Sequence, residues 1–319
     1  MPSLRPGILA ALPCFFNADE TINYDQFAKH TLRLAAAVIM PPVVSGSMGE
    51  AIHLEREERI QLIKTARIAL DQAGFASMPI MAGAGALSTR QAVQYAKDAA
   101  SAGADSVLVI PPGYYGLGEA NLEAYYTSIA KQSPIPVLIY NFPAVAGGID
   151  MSSDHILRIA GKAPNVAGCK LTCASVAKLA RVAQSPLSPR TTGIPFFALC
   201  GFIDFLLPGI IVGAQGAITG VPNFAPKTCQ ELWELCQKQM TPENLTQANK
   251  LHLLVSNADA AASSAGIPGM KALLHYLEGC EPYVRSPLLP ASAIAAEKLI
   301  SDPATVSILE HEKQLSSRR

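Results

Sequence analysis

In "NVAGCKLTCAS", residues 165–175, one lysine stands in the middle of an apolar, small-residue run. Lysine is among the residues least often buried, because its ammonium loses hydration there. In a strand alternate residues share a face, so Val166, Gly168, Lys170 and Thr172 point one way and Ala167, Cys169 and Leu171 the other. The second set suits contact with covering helices, which turns Lys170 inward. Burial disfavours a charged amine, and a neutral amine adds to carbonyl carbons to form a Schiff base. A lysine paired with a buried carboxylate, or one reaching solvent from a strand end, is the structural alternative.

Two other segments supply complementary chemistry. "PVLIYNFP" ends an apolar run with Tyr140, thirty residues before Lys170 and one strand earlier, and a phenol beside an imine-forming lysine is a proton carrier. "SGSMGE", residues 45–50, sets glycines around Ser47 and Met48, as a tight turn that exposes backbone N–H groups to a carboxylate requires. An aromatic core cap and a plain turn are the simpler readings of these two. The six histidines are scattered, with no H-x-H or H-x-x-x-H, so no metal site is expected. His53, three residues past the turn, reads as a loop or helix-start histidine.

The elements that must position these residues are legible from residue 7 to 224. Eight apolar runs alternate with amphipathic stretches: "GILAALPCFF", "VIMPPVVSG", "MPIMAGAG", "DSVLVIPP", "IPVLIYNFP", "VAGCKLT", "GIPFFALCG" and "GAQGAITG". Ser88 with Gln91 has capping-box spacing for the third helix, and Gly103 suits its end. The pattern predicts an α/β fold, a (β/α)8 barrel rather than an open doubly wound sheet, since the count is eight and no G-x-G-x-x-G follows the first strand. Residues 1–224 are assigned to the barrel and 225–319 to a C-terminal helical extension packed on it. The final "HEKQLSSRR" is expected to fray.

Composition narrows the function classes. The 319 residues carry 25 Lys and Arg against 25 Asp and Glu, which gives no electrostatic case for nucleic acid or an anionic membrane. Seven cysteines without a C-x-x-C pair read as free thiols of a cytoplasmic protein. The apolar N-terminus is interrupted by Pro13 and Cys14 and reads as a first strand rather than a signal peptide. No stretch is apolar enough to span a bilayer.

In their order and spacing, Gly46-Ser47-Met48-Gly49-Glu50, Tyr140-Asn141-Phe142-Pro143 and Gly168-Cys169-Lys170 resemble the dihydrodipicolinate synthase / N-acetylneuraminate lyase family of class I aldolases. The likeness extends through "GAGALSTRQAVQYAKDAASAGADSVLVIPPGYY" and "GIPGMKALLHYLEGCEPYVRSPLLP". It implies that Lys170 forms an imine with a small 2-oxo acid, with no cofactor beyond that imine, and that Tyr140 shuttles protons. It implies that Gly46, Ser47 and Met48 seat the carboxylate, and that Ile218 lines the site through its backbone. Tyr115 matches a tyrosine that the family sends across a subunit contact, so a homodimer or homotetramer is expected.

Departures from the family pattern narrow the substrate. Synthases of the family carry an arginine two residues after Y-N-x-P to bind the aldehyde's carboxylate; Val145 occupies that place. Met48 stands where a second threonine is usual, and Pro41 and Pro42 lie within the second strand. "CKLTC", "FFNADETIN" and "AGGIDMSSD" resemble the fungal branch that includes L-threo-3-deoxy-hexulosonate aldolase. The expected activity is cleavage of a 2-keto-3-deoxy sugar acid to pyruvate and an aldehyde. A 4-hydroxy-2-oxoglutarate aldolase, a dihydrodipicolinate synthase and a catalytically silent 2-oxo-acid-binding barrel are the alternatives.

Overall fold

A computed structural model describes residues 4–37, 40–185 and 196–317. The strands β1 (Gly7–Ala11), β2 (Met40–Val44), β3 (Met81–Gly83), β4 (Ser106–Val109), β5 (Val137–Asn141), β6 (Val166–Leu171), β7 (Phe197–Cys200) and β8 (Gly216–Thr219) pair in order, and β8 pairs back to β1. Every ladder is parallel. Each of the eight expected runs contains one strand; residues 38–39 of the second and 193–195 of the seventh lie outside the described residues. Around them lie α1 (Tyr24–Ala36), α2 (Arg56–Gln72), α3 (Thr89–Ser101), α4 (Glu119–Gln132), α5 (Ser153–Lys162), α6 (Val176–Ala183) and α7 (Leu206–Ile211). Ser88 caps α3 by accepting from the Gln91 N–H at 3.2 Å, a contact worth about 1 kcal/mol, and Gly103 leaves the helix at φ +100°.

Hydrophobic residues divide into two layers. Leu9, Val43, Met81, Leu108, Leu138 and Leu199 fill the barrel, while a larger core packs the outer strand faces against the helices. The prolines of β2 are accommodated by a one-residue slip: Leu9 pairs with Met40 and Ala10 with Pro42, so Pro41 falls in the irregularity. A closed barrel offers no edge strand, and a bulge is the remaining place for a residue that cannot donate. Pairing then resumes at Val43 with Met81.

A second slip corrects the alternation expected for β6. Val137 pairs with Val166 but Leu138 with Gly168, so the strand carries an extra residue at its start. Ala167 therefore belongs to the barrel interior and Val166 to the outer core, the reverse of strict alternation. Beyond the irregularity the expected pattern holds, with Cys169 and Leu171 in the outer core.

After β8 come α8 (Pro226–Gln237), α9 (Pro242–Glu278), α10 (Ala293–Ile300) and α11 (Pro303–Ser317). Gly266 interrupts α9 at φ +66°, ψ −163°, a conformation open essentially to glycine alone, and Pro268 follows two residues later as the helix resumes. The expected fraying of the C-terminus is not found through Ser317: Glu312 accepts from the N–H groups of Lys227 at 3.0 Å and Thr228 at 2.8 Å, capping the start of α8. Arg318 and Arg319, the end of that expectation, lie outside the described residues.

Candidate active site

Because β5 and β6 pair Tyr140 with Lys170, the two side chains leave adjacent strands at the same level. Lys170 Nζ donates to Tyr140 Oη at 3.3 Å, and both residues are only 5% exposed. They line a cavity of about 400 Å³ at the C-terminal ends of the strands, where barrels place their variable loops. Lys170 takes part in no salt bridge among the described residues, so the structural alternative of a carboxylate-paired lysine does not apply to it.

The turn after β2 brings Gly46, Ser47 and Met48 to the same cavity. The N–H groups of Gly49 and Ala51 both bond to the Gly46 carbonyl, at 3.0 and 3.2 Å, and the Glu50 N–H bonds to Ser47 O at 3.1 Å. The N–H groups of Ser47 and Met48 make no hydrogen bond among the described residues, which leaves two backbone donors for a carboxylate. The left-handed positions of the turn differ from the sequence reading. Ser45 (φ +54°) and Glu50 (φ +52°) adopt them, not the glycines. Gly49 is required for another reason: a Cβ there would meet the Leu12 carbonyl at 2.9 Å. Non-glycine residues in this region cost of order 1 kcal/mol and persist where surrounding contacts enforce them.

Those contacts form a buried network that sequence reasoning missed. Glu50 and Lys271 of α9 have no exposed side-chain surface and meet at 2.5 Å. Glu50 also accepts from the Arg285 N–H at 3.0 Å, and His53 Nδ1 lies 3.2 Å from it, so His53 supports the turn rather than lining the cavity. Lys271 donates further to Tyr283 O at 2.7 Å, and Arg285 clasps Glu58 in a two-pronged pair at 2.6 and 2.7 Å. Burial lowers the Lys271 pKa, and the Glu50 carboxylate opposes that shift.

Ile218 lines the cavity from β8, and Phe142, Val145 and Phe202 line it with apolar surface. Val145 therefore occupies the cavity without offering a cation. Tyr115 is not brought to this cavity: it lies on the loop after β4, 72% exposed, with its ring edge-on to Tyr114. The far wall comes from α9, where Asp259, Ser263 and Gly266 face the cavity. Asp259 is buried among alanines in the sequence, and its only advance signal is a charge on an otherwise small-residue helix. Among the described residues, no group of three His, Cys, Asp or Glu is arranged to hold a metal ion, and no helix is long and apolar enough to cross a membrane.

Similarity to known proteins agrees with this geometry. The profile of the Dihydrodipicolinate synthetase family matches residues 5–302. A protein of Emericella nidulans named "Probable 4-hydroxy-2-oxoglutarate aldolase, mitochondrial" is 38% identical over 99% of this chain and 98% of its own. The L-threo-3-deoxy-hexylosonate aldolase of Hypocrea jecorina is 39% identical over 90% of this chain and 91% of its own. A crystal structure of a dihydrodipicolinate synthase family protein from Coccidioides immitis superposes with a TM-score of 0.84 at 35% identity, covering 99% of both chains. With the barrel, the lysine–phenol pair and these likenesses together, the chain belongs to the dihydrodipicolinate synthetase family.

Proposed function

We propose that the protein is a class I aldolase that cleaves a 2-keto-3-deoxy sugar acid, such as L-threo-3-deoxy-hexulosonate, to pyruvate and an aldehyde. The observation that carries this reading is Lys170 Nζ at 3.3 Å from Tyr140 Oη in a cavity that also holds the two unbonded N–H groups of the Ser47–Met48 turn. The Lys170 amine adds to the C2 carbonyl and water leaves, giving a protonated imine. The C3–C4 bond then breaks; its electrons move to the imine nitrogen as an enamine forms, and the C4 hydroxyl gives up its proton as the aldehyde forms. Protonation at C3 and addition of water return pyruvate and the free lysine. Tyr140 carries the protons, the turn holds the C1 carboxylate with Ser47 Oγ beside it, and the Ile218 backbone bounds the site. No metal enters these steps.

Fungal relatives named for both sugar-acid and 4-hydroxy-2-oxoglutarate cleavage keep the second as the nearest alternative. A dihydrodipicolinate synthase is disfavoured, because Val145 supplies no partner for an aldehyde carboxylate. Tyr115 is assigned to a neighbouring subunit's site in a homodimer or homotetramer, in line with its exposure beside Tyr114. The boundary at 224/225 between barrel and helical extension accords with the end of β8 at Thr219, although α9 contributes to the cavity. We place the enzyme in the cytoplasm on its seven free cysteines; fractionation that finds it in mitochondria overturns this. Incubation with pyruvate and borohydride is expected to add one reduced imine to Lys170. Absence of that adduct on the native protein favours the silent binding barrel.

A further inference from the structure

The α9 wall of the cavity carries an acid that the proposed chemistry leaves unused. Asp259 is 5% exposed and faces the cavity. Its carboxyl oxygens accept from the Ile203 N–H at 3.1 Å and the Ser263 hydroxyl at 3.4 Å, and the Asp204 backbone bonds to it as well. No salt bridge holds it among the described residues, and the carboxyl group acting on it is Asp204 of the turn after β7. A buried carboxyl without a cation is costly, and such groups persist where binding or catalysis uses them.

We propose that Asp259, with Ser263 beside it, binds the hydroxyl-bearing tail of the substrate and selects an uncharged polyhydroxy tail over one that ends in a second carboxylate. This rests on the aldolase reading above and sharpens its substrate class. Among the described residues that line the cavity, the charged ones are Lys170 and Asp259 alone. Lys170 is consumed in the imine, and the turn's N–H groups serve the carboxylate next to it. A tail carboxylate therefore meets no cation and faces Asp259, an arrangement of like charges in a low-dielectric wall. A tail of hydroxyls meets instead a carboxyl group whose two oxygens offer about four accepting positions, more than the bonds it already makes. Burial, with Asp204 nearby, pushes the Asp259 pKa up to about 7. Its rejection of a tail carboxylate is therefore expected to strengthen as pH rises through that value, where the carboxylate form prevails.

The test compares pyruvate release from a 3-deoxy-2-oxo-hexonate and from 4-hydroxy-2-oxoglutarate. For the wild-type protein, kcat/KM is expected to favour the sugar acid by about 10-fold or more. Asp259→Asn retains an oxygen for the Ile203 N–H, and is expected to lower kcat/KM for the sugar acid by about 10-fold while 4-hydroxy-2-oxoglutarate holds or gains. Damage to the fold alone lowers both substrates equally and leaves their ratio unchanged; that result overturns the proposal, as does a wild-type preference for the dicarboxylate. If Asp259→Asn fails to fold, the wild-type ratio still decides. Borohydride trapping of pyruvate on the wild-type protein separates the two levels: trapping without the sugar-acid preference sinks only the tail assignment, whereas no trapping sinks the aldolase reading beneath it.

Discussion

Lys170 and Lys271 are both lysines with almost no exposed surface, yet their surroundings are opposite. Lys271 lies between α9 and the turn after β2, held at 2.5 Å by Glu50 and at 2.7 Å by the Tyr283 carbonyl, with its ammonium 4.4 Å from the centre of the Phe16 ring. Lys170 has a phenol and a cavity, and among the described residues no carboxylate pairs with it. Burial alone therefore does not mark a reactive amine. The neighbour decides, because a carboxylate fixes the charged form in a structural pair, whereas a phenol and open space leave the nitrogen available to a carbonyl.

Removing each lysine tests that contrast most directly. Lys170→Met is expected to lower kcat by on the order of 10⁴-fold or more with little change in the thermal midpoint, read by pyruvate release and calorimetry. A variant that keeps a tenth of the activity breaks the contrast from the Lys170 side. Tyr140→Phe is expected to cost about 10²- to 10⁴-fold in kcat and to slow borohydride trapping, since the proposed proton carrier is lost while the amine remains. Lys271→Met inverts the pattern: about 3–5 kcal/mol of stability goes with the uncompensated Glu50 carboxylate, measured by denaturant unfolding. Pairing it with Glu50→Gln is expected to recover part of that loss, as contacting residues are non-additive.

The smallest expected effect concerns the acid on the other half of α9. The folded pKa of Asp259, about 7, stands above its ordinary value of 3.8, through burial first and Asp204 second. The unfolded chain therefore loses this proton first, and the group's contribution to stability falls as pH rises from about 4 through about 7. Asp204 on the turn after β7 and His252, one face along α9, are the other titrating groups at this spot; burial raises the first and lowers the second. Asp259→Asn is expected to be more stable than wild type by about 2–4 kcal/mol at pH 8, with the gain vanishing near pH 4. Equal stability of the two proteins at pH 8 contradicts this. A stabilising change that also lowers sugar-acid turnover would set Asp259 apart from Lys271, where removal destabilises.

Lys170 was legible because a strand's two-residue period places a side chain without reference to the rest of the chain. The same rule failed at Val166 and Ala167, where a one-residue slip against β5 leaves no mark in the local sequence. The turn at residues 45–50 was recognised, but its strained positions fell on Ser45 and Glu50, because the strain depends on what holds Glu50. That partner, Lys271, is 221 residues away, and "GMKALLHY" gives a helical lysine no local reason to be buried. Asp259 was hidden likewise, since a charge among alanines on a helix ordinarily faces water. The tail was misread for a related reason: Glu312 is anchored by the first turn of α8, a partner visible only once the helices are packed. What was lost in each case was a long-range pairing.

The glycine break in α9 has an engineering consequence. Asp259 lies seven residues before Gly266 and Lys271 five after it, so one helix carries the cavity wall upstream and the turn's anchor downstream. A side chain at Gly266 is incompatible with its backbone, and relaxing toward a straight helix would swing one arm relative to the other. Exchange of specificity between relatives is therefore best attempted by grafting the segment that ends before Gly266. A cassette that crosses the joint would change the cavity wall and how firmly the turn after β2 is held in a single step.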